Sequence, residues 1–236
     1  MVLVVALIVG GIFWKIIYRA PSCSDGYKNG NETGVDCGGS CKNLCTSDAL
    51  TPVVLWSKIF NISGDVYSAV AYVENPNLSS KNSKATYKFR IFDANNTLIT
   101  VKEGETSIPK GKKFAIFETG IVLKGLKPKS VDFEFASFSP WVKDIEKEPI
   151  LSLKYSSIMS ASTTPTITGS ISNLSLQSIG EIELVALLLD SNENVIAASR
   201  TFIDNLLKNT SQDFFFTWQK PFDRNPSVIT VIYRQL

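Results

Sequence analysis

The chain repeats itself. Ile91-Phe92-Asp93-Ala94-Asn95-Asn96-Thr97-Leu98-Ile99 aligns with Leu188-Leu189-Asp190-Ser191-Asn192-Glu193-Asn194-Val195-Ile196 at an offset of 97. Val73-Glu74-Asn75 aligns with Ile171-Ser172-Asn173 at 98, and Val131–Phe138 with Val228–Leu236 at 97. Three separate segments at nearly one offset constrain the fold more than any composition: one supersecondary arrangement is used twice.

Each copy reads as strands. Tyr87, Phe89 and Ile91 alternate with Lys88 and Arg90; Val131, Phe133 and Phe135 alternate with Asp132 and Glu134. Ile182 and Leu184 alternate with Glu181 and Glu183. Period-2 alternation marks half-buried strands. Turn chemistry separates the runs at Asn75-Pro76-Asn77, Asp93–Asn96, Pro109-Lys110-Gly111 and Asp190-Ser191-Asn192. A helical turn is expected only near Ile203–Leu207. The class is all-β. About seven strands per hundred residues is the size of an immunoglobulin-like sandwich, here without its Cys…Trp…Cys core. Leu151–Tyr155 is expected to open the second sandwich. The expected organisation is a transmembrane anchor over 1–19, a Cys-rich segment over 20–48, and sandwiches over 49–146 and 147–236. The last boundary falls in the charged stretch Ile145–Pro149.

Of the 236 residues none is histidine, and all four cysteines fall at Cys23, Cys37, Cys41 and Cys45. Without imidazole no Ser–His–Asp or Cys–His nucleophile can be assembled within the chain, nor a zinc site that needs it. A net charge of +2 without a long basic run argues against nucleic acid as a partner. The segment 23–45 has too few large apolar side chains to form a core and must be cross-linked. Four cysteines allow three pairings, and the sequence does not choose among them. The competing reading is one metal held by all four thiolates, but the C-x13-C-x3-C-x3-C spacing lacks the paired C-x2-C knuckles of common zinc sites.

Residues Met1–Phe13 are wholly apolar or glycine, and Trp14 to Tyr18 add one charge, Lys15. A helix to Tyr18 would reach about 27 Å, close to the ~30 Å hydrocarbon core. Lys15 can snorkel, and Trp14 and Tyr18 suit the interface. A cleaved signal peptide fits worse: there is no basic start, and Tyr18-Arg19-Ala20 is a poor cleavage site. Charge and cysteine disagree on orientation. Lys15 and Arg19 would place the body in the cytoplasm, whereas clustered cysteines favour an oxidising compartment. The expectation adopted is a single-pass protein with its body extracytoplasmic.

Candidate sites are few. Asp25 to Asp36 partly mimics a calcium loop, with Asp25, Asn29, Asn31 and Asp36 as candidate ligands. Tyr27 sits where an oxygen is wanted, so a Gly/Asn-rich turn scaffold is the competing reading. Glu103 with Glu105, Asp132 with Glu134, and Glu181 with Glu183 have the i,i+2 spacing that puts both carboxylates on the solvent face of a strand. Phe214, Phe216 and Trp218 are expected in the core, with Phe215 exposed. Lys110, Lys112, Lys113, Lys124, Lys127 and Lys129 give the first copy a basic edge, read as protection against edge-to-edge pairing. Asn75, Asn173, Asp93 and Asp190 are expected to tie down turns. Asn-x-Ser/Thr sites at Asn31, Asn61, Asn77, Asn95, Asn173 and Asn209 matter only in a glycosylating host.

Three resemblances rest on these residues. Cys23-Ser-Asp-Gly-Tyr-Lys-Asn-Gly-Asn-Glu-Thr-Gly-Val-Asp-Cys-Gly-Gly-Ser-Cys41 resembles the C-x-DG-x-x-NG-x-ETGVDCGG-x-C motif of bacterial surface and secreted proteins. Gly169-Ser-Ile-Ser-Asn173 with Leu187-Leu-Leu-Asp190-Ser-Asn-Glu-Asn-Val195 resembles the FxLyD domain. Val73-Glu-Asn75-Pro76-Asn77 is similar to the late-embryogenesis-abundant type-2 domain. The resemblances imply immunoglobulin-like sandwiches in a cell-envelope setting and no catalytic residues. The expected function is therefore a structural or interaction module of the envelope, with an envelope protein as partner and no cofactor. The alternative is an ion- or small-ligand-binding module using calcium at Asp25–Asp36.

Overall fold

A computed structural model describes residues 20–159 and 163–236. The anchor expected over 1–19 lies outside them, and no helix among the described residues is long and apolar enough to cross a membrane. Two compact units divide the chain, one ending at Ala49 and the other spanning Leu50–Leu236.

The described part of the first unit is a chain of turns with one 3-10 turn, Thr46–Asp48. Disulfides Cys23–Cys41 and Cys37–Cys45 hold it together. That is one of the three pairings open to the sequence, and it leaves no free thiol for the four-thiolate metal site. The glycines of the motif have physical work here. A Cβ on Gly34 would lie 2.8 Å from the sulfurs of both Cys37 and Cys45, and Gly39 (φ +52°) passes where a Cβ would strike the Asn31 carbonyl.

The second unit is all-β. Its first half contains β1 (Val53–Ser63), β2 (Val66–Glu74), β3 (Ser80–Phe92), β4 (Leu98–Ile108), β5 (Lys113–Val122), β6 (Ser130–Phe138) and β7 (Trp141–Lys143). Its second half contains β8 (Leu151–Tyr155), β9 (Thr166–Asn173), β10 (Ile182–Leu189), β11 (Val195–Ile203), β12 (Ser211–Thr217) and β13 (Val228–Gln235). All pairing is antiparallel, in sheets ordered β1-β2-β5 and β4-β3-β6, then β12-β9-β8 and β11-β10-β13. β7 continues the β6 side of β3 after a break at Pro140. Shifted by about 97 residues, β1 to β6 fall on β8 to β13 and the sheet orders coincide, so the repeat in sequence is a repeat in topology.

The expected alternation holds in β3 and β6. Tyr87, Phe89, Ile91, Val131 and Phe133 are buried, and Phe89 and Phe133 meet edge to face with centroids 4.9 Å apart. In the second half Ile167, Ile171, Ile182, Leu184, Leu188, Phe214 and Phe216 form the core. Each such side chain contributes about 1.5–3 kcal/mol by leaving water. The helical turn expected at Ile203–Leu207 does not form: β11 runs through Ile203, and Leu206 exchanges both backbone hydrogen bonds with Ile179. The buried Leu206 and Ile203 are needed in the core, and a two-strand contact supplies their backbone partners.

Three strands break the half-buried rule. β2 is buried on both faces at Ala69-Val70-Ala71, β5 at Phe114-Ala115-Ile116-Phe117, and β10 from Ile182 to Leu188. Val70, Ala115 and Phe117 join Val185, Leu187 and Val195 in a separate apolar cluster, bordered by Trp56, Phe60, Tyr72 and Ile232. Sheet β1-β2-β5 therefore packs its second face on sheet β11-β10-β13. Face-to-face contact between the halves fuses them through a third core.

Candidate functional site

The calcium-like loop is closed by amides. The Asp36 carboxylate accepts the N–H groups of Asp25 (2.9 Å) and Gly26 (3.0 and 3.1 Å). Asp25 accepts from Tyr27 N–H at 2.9 Å and Asn29 Nδ2 at 2.8 Å, and Glu32 accepts Asn29 N–H at 3.2 Å. Asp36 does this from a left-handed conformation (φ 54°). Of the four candidate ligands, Asp25, Asn29 and Asp36 are thus brought together as a hydrogen-bonded turn. The Asn29 Oδ1 atom is buried with no hydrogen-bond partner among the described residues. Glu32 also lies beside the Cys23–Cys41 sulfurs, but those are spent on their disulfide.

The repeated polar residues sit where the turns need them. Asn173, fully buried, donates from Nδ2 to the carbonyls of Gln177 and Leu206 and accepts the Ser175 N–H. Asn75 donates to Ser80 and Pro109 and accepts the Asn77 N–H. Asp93 accepts the N–H groups of Asn95 and Thr97, and Asp190 those of Asn192 and Asn194. The left-handed residue of each hairpin is Asn96 or Glu193, both at φ 61°. The N–H of Asn194, with help from Asn192 and Arg224, holds the Asp190 carboxyl below the usual carboxylate range. Asn77 and Asn173 are buried, which closes these two Asn-x-Ser sites to modification in the folded chain.

The paired carboxylates divide. Glu103, Glu105 and Glu134 lie on the outer face of β4-β3-β6, in cross-strand ion pairs with Lys88, Lys84 and Arg90. Glu183 does not share the solvent face with Glu181. It is 2% exposed, accepting from Arg234 Nε at 2.5 Å and Arg200 Nη1 at 3.3 Å. Arg234 also reaches Thr106 and the Ser107 carbonyl, and Arg200 reaches the Phe117 carbonyl at 2.9 Å. These bonds join one half to the other. Glu183 departs from the solvent-face expectation because the second face of β10 meets the sheet β1-β2-β5 and not water. The available signal was the unbroken apolar run Leu184–Leu189 in β10, which reads as a strand covered on both faces.

Phe214 and Phe216 are buried, Trp218 packs at the core margin, and Phe215 is 65% exposed, as expected. The basic edge is partly neutralised. Lys110 and Lys81 pair with Asp144, and Lys112 with Glu148 at 2.5 Å, pinning the connection between the halves. Burial raises the Asp144 carboxyl, but Lys81, the Glu146 N–H and Lys110 outweigh it and hold the group low. Burial, then the hydrogen bond to Glu118, push the Tyr87 hydroxyl well above its ordinary value, leaving it a donor.

Comparison with known proteins assigns nothing. No family model matches the chain, and no curated protein matches it. Among solved structures it is similar to the crystal structure of red sea bream transglutaminase at 12% identity and a TM-score of 0.26. That likeness covers 78% of this chain and 31% of the other, so the chain spans about a third of that protein's length. It is too slight to bear on fold or activity.

Proposed function

We propose that the chain is a non-catalytic structural or protein-interaction module of the cell envelope. In this reading residues 1–19 anchor it in a membrane, 20–48 form a disulfide-linked spacer, and 49–146 and 147–236 are two immunoglobulin-like sandwiches held outside the cytoplasm. The observation that carries the reading is the pairing of all four cysteines, since stable disulfides belong to oxidising compartments. Cysteine-rich spacing and the motif resemblance point the same way; Lys15 and Arg19 oppose it. The partner is an envelope protein that adds a strand to a sheet edge, and each three-stranded sheet ends in strands paired on one side only. The test is protease added to intact cells producing the chain: the body is cut while a cytosolic control survives. Full protection contradicts the topology.

A second reading, calcium at Asp25–Asp36, draws on the unpartnered Asn29 Oδ1. It requires Asp25 and Asp36 to exchange amide donors for a cation. Millimolar calcium then shifts the amide resonances of Asp25, Gly26 and Tyr27; unchanged resonances remove the reading.

A further inference from the structure

A hollow of about 510 Å³ opens where the two halves meet, beside the third core and outside the elements that form the turns and the disulfide segment. Its floor is the second face of sheet β1-β2-β5, with Phe60, Ser68 and Phe117; its walls are β11 and the segment after β12, with Arg200, Trp218 and Phe222. The size is usual for small-molecule sites, and the lining sets aromatic side chains among polar ones such as Asn61, Ser68, Arg200 and Lys220.

Two polar groups lining it have hydrogen-bonding capacity that the described residues leave unused. Ser68 is 3% exposed, lies on the same face of β2 as Val70, and its hydroxyl has no hydrogen-bond partner among the described residues. Arg200 spends only Nη1, on the Phe117 carbonyl and Glu183. Its guanidinium carbon is 5.4 Å from the Phe117 ring centroid and 5.0 Å from that of Phe202, with Nε and Nη2 unpaired among the described residues. The charge is unbalanced in the same sense. Arg200 and Arg234 share the single carboxylate of Glu183, and the lining adds Lys220 against Asp223. Lys220, exposed at the rim, donates to the Asn61 amide oxygen at 2.9 Å.

We propose that this hollow binds a small apolar monocarboxylate, aromatic or medium-chain aliphatic. The carboxylate takes the free guanidinium N–H groups of Arg200 and the Ser68 hydroxyl proton, and the apolar body lies among Phe60, Phe117, Trp218 and Phe222. Arg200 is a quarter exposed and shares Glu183 with Arg234, and a guanidinium fork with free N–H groups fits a carboxylate better than any neutral group. The inference does not depend on the membrane topology or on calcium.

The test uses the full chain with 3-phenylpropionate and decanoate as probes and 3-phenylpropionamide as the neutral control, followed by saturation-transfer NMR and competition. At least one acid binds saturably, and the amide binds about tenfold or more weaker, the worth of a charge-assisted hydrogen bond. Ser68→Ala weakens the acid about three- to tenfold and leaves the melting temperature without ligand unchanged, because the hydroxyl has no partner to lose. Arg200→Lys weakens it further. Absence of saturable binding by both acids overturns the proposal. So does equal binding of acid and amide, or an affinity that Ser68→Ala leaves unaltered in a folded protein.

Discussion

The same strand occurs twice with opposite surroundings. In β3 the residues facing away from the core are Thr86, Lys88 and Arg90, which form ion pairs and hydroxyl contacts at the surface. At the same positions in β10 stand Glu183, Val185 and Leu187, all buried. The complementary sheets invert this pattern. β2 presents Ser68, Val70 and Tyr72 to the second half, while β9 presents Thr166, Thr168 and Ser170 to solvent or its edge. Phe117, opposite Val70, is buried in the third core; Phe215, opposite Thr168, is exposed. One topology thus carries two kinds of outer face, and the contact is between unlike sheets.

The comparison can be broken most severely by giving β10 the face of β3. Val185→Lys with Leu187→Arg buries two cations in the third core, and a loss on the order of 5 kcal/mol is expected. Denaturant unfolding then resolves into two transitions, one for each half. Next in size is Glu183→Ala, which strands Arg200 and Arg234 against each other. Removing one partner of a buried ion cluster costs about 3–5 kcal/mol, measured as a lower denaturation midpoint at unchanged slope.

A smaller test exchanges the left-handed residues of the two hairpins. Glu193→Asn stabilises by about 0.5–1 kcal/mol and Asn96→Glu destabilises by a similar amount, because asparagine tolerates that conformation better. Equal and opposite shifts in melting temperature check the equivalence of the two turns. The smallest effect is in acid. The Asp190 carboxyl is held low in the folded chain, so its contribution is complete above the ordinary carboxylate value and is lost as pH falls through the folded one. Asp190→Asn should therefore flatten the loss of stability below about pH 4, seen by comparing melting temperatures across that range.

How much of this the sequence revealed follows from what each signal reports. Alternation located β3, β6 and the edges of β10, and the repeat located the equivalent turns, because both depend on local periodicity. Asp93 and Asp190 were readable because their side chains bond within their own turns, and Asn75 and Asn173 because each also bonds a residue two positions on, although their other partners, Pro109 and Leu206, are distant in sequence. Glu183 was not, because its partners Arg200 and Arg234 are 17 and 51 residues away and its cover is a sheet of the other half. Ser68 and Arg200 escaped for the same reason: nothing nearby in sequence indicates what lies across the contact. The disulfide pairing was hidden too, since four cysteines in so short a segment reach one another in any of three ways. Long-range cover is written only in the uninterrupted apolar runs of β5 and β10, a weaker sign than alternation.

The central claim is that β2 and β10 lie in one continuous packed body. Native-state hydrogen exchange on the full chain tests it directly. Amides of Val70, Phe117, Val185 and Leu187 should open together with a single free energy, the largest in the chain. If those of β2 and β5 instead exchange independently of β10, each at its own denaturant dependence, the halves are separate domains and the account is wrong.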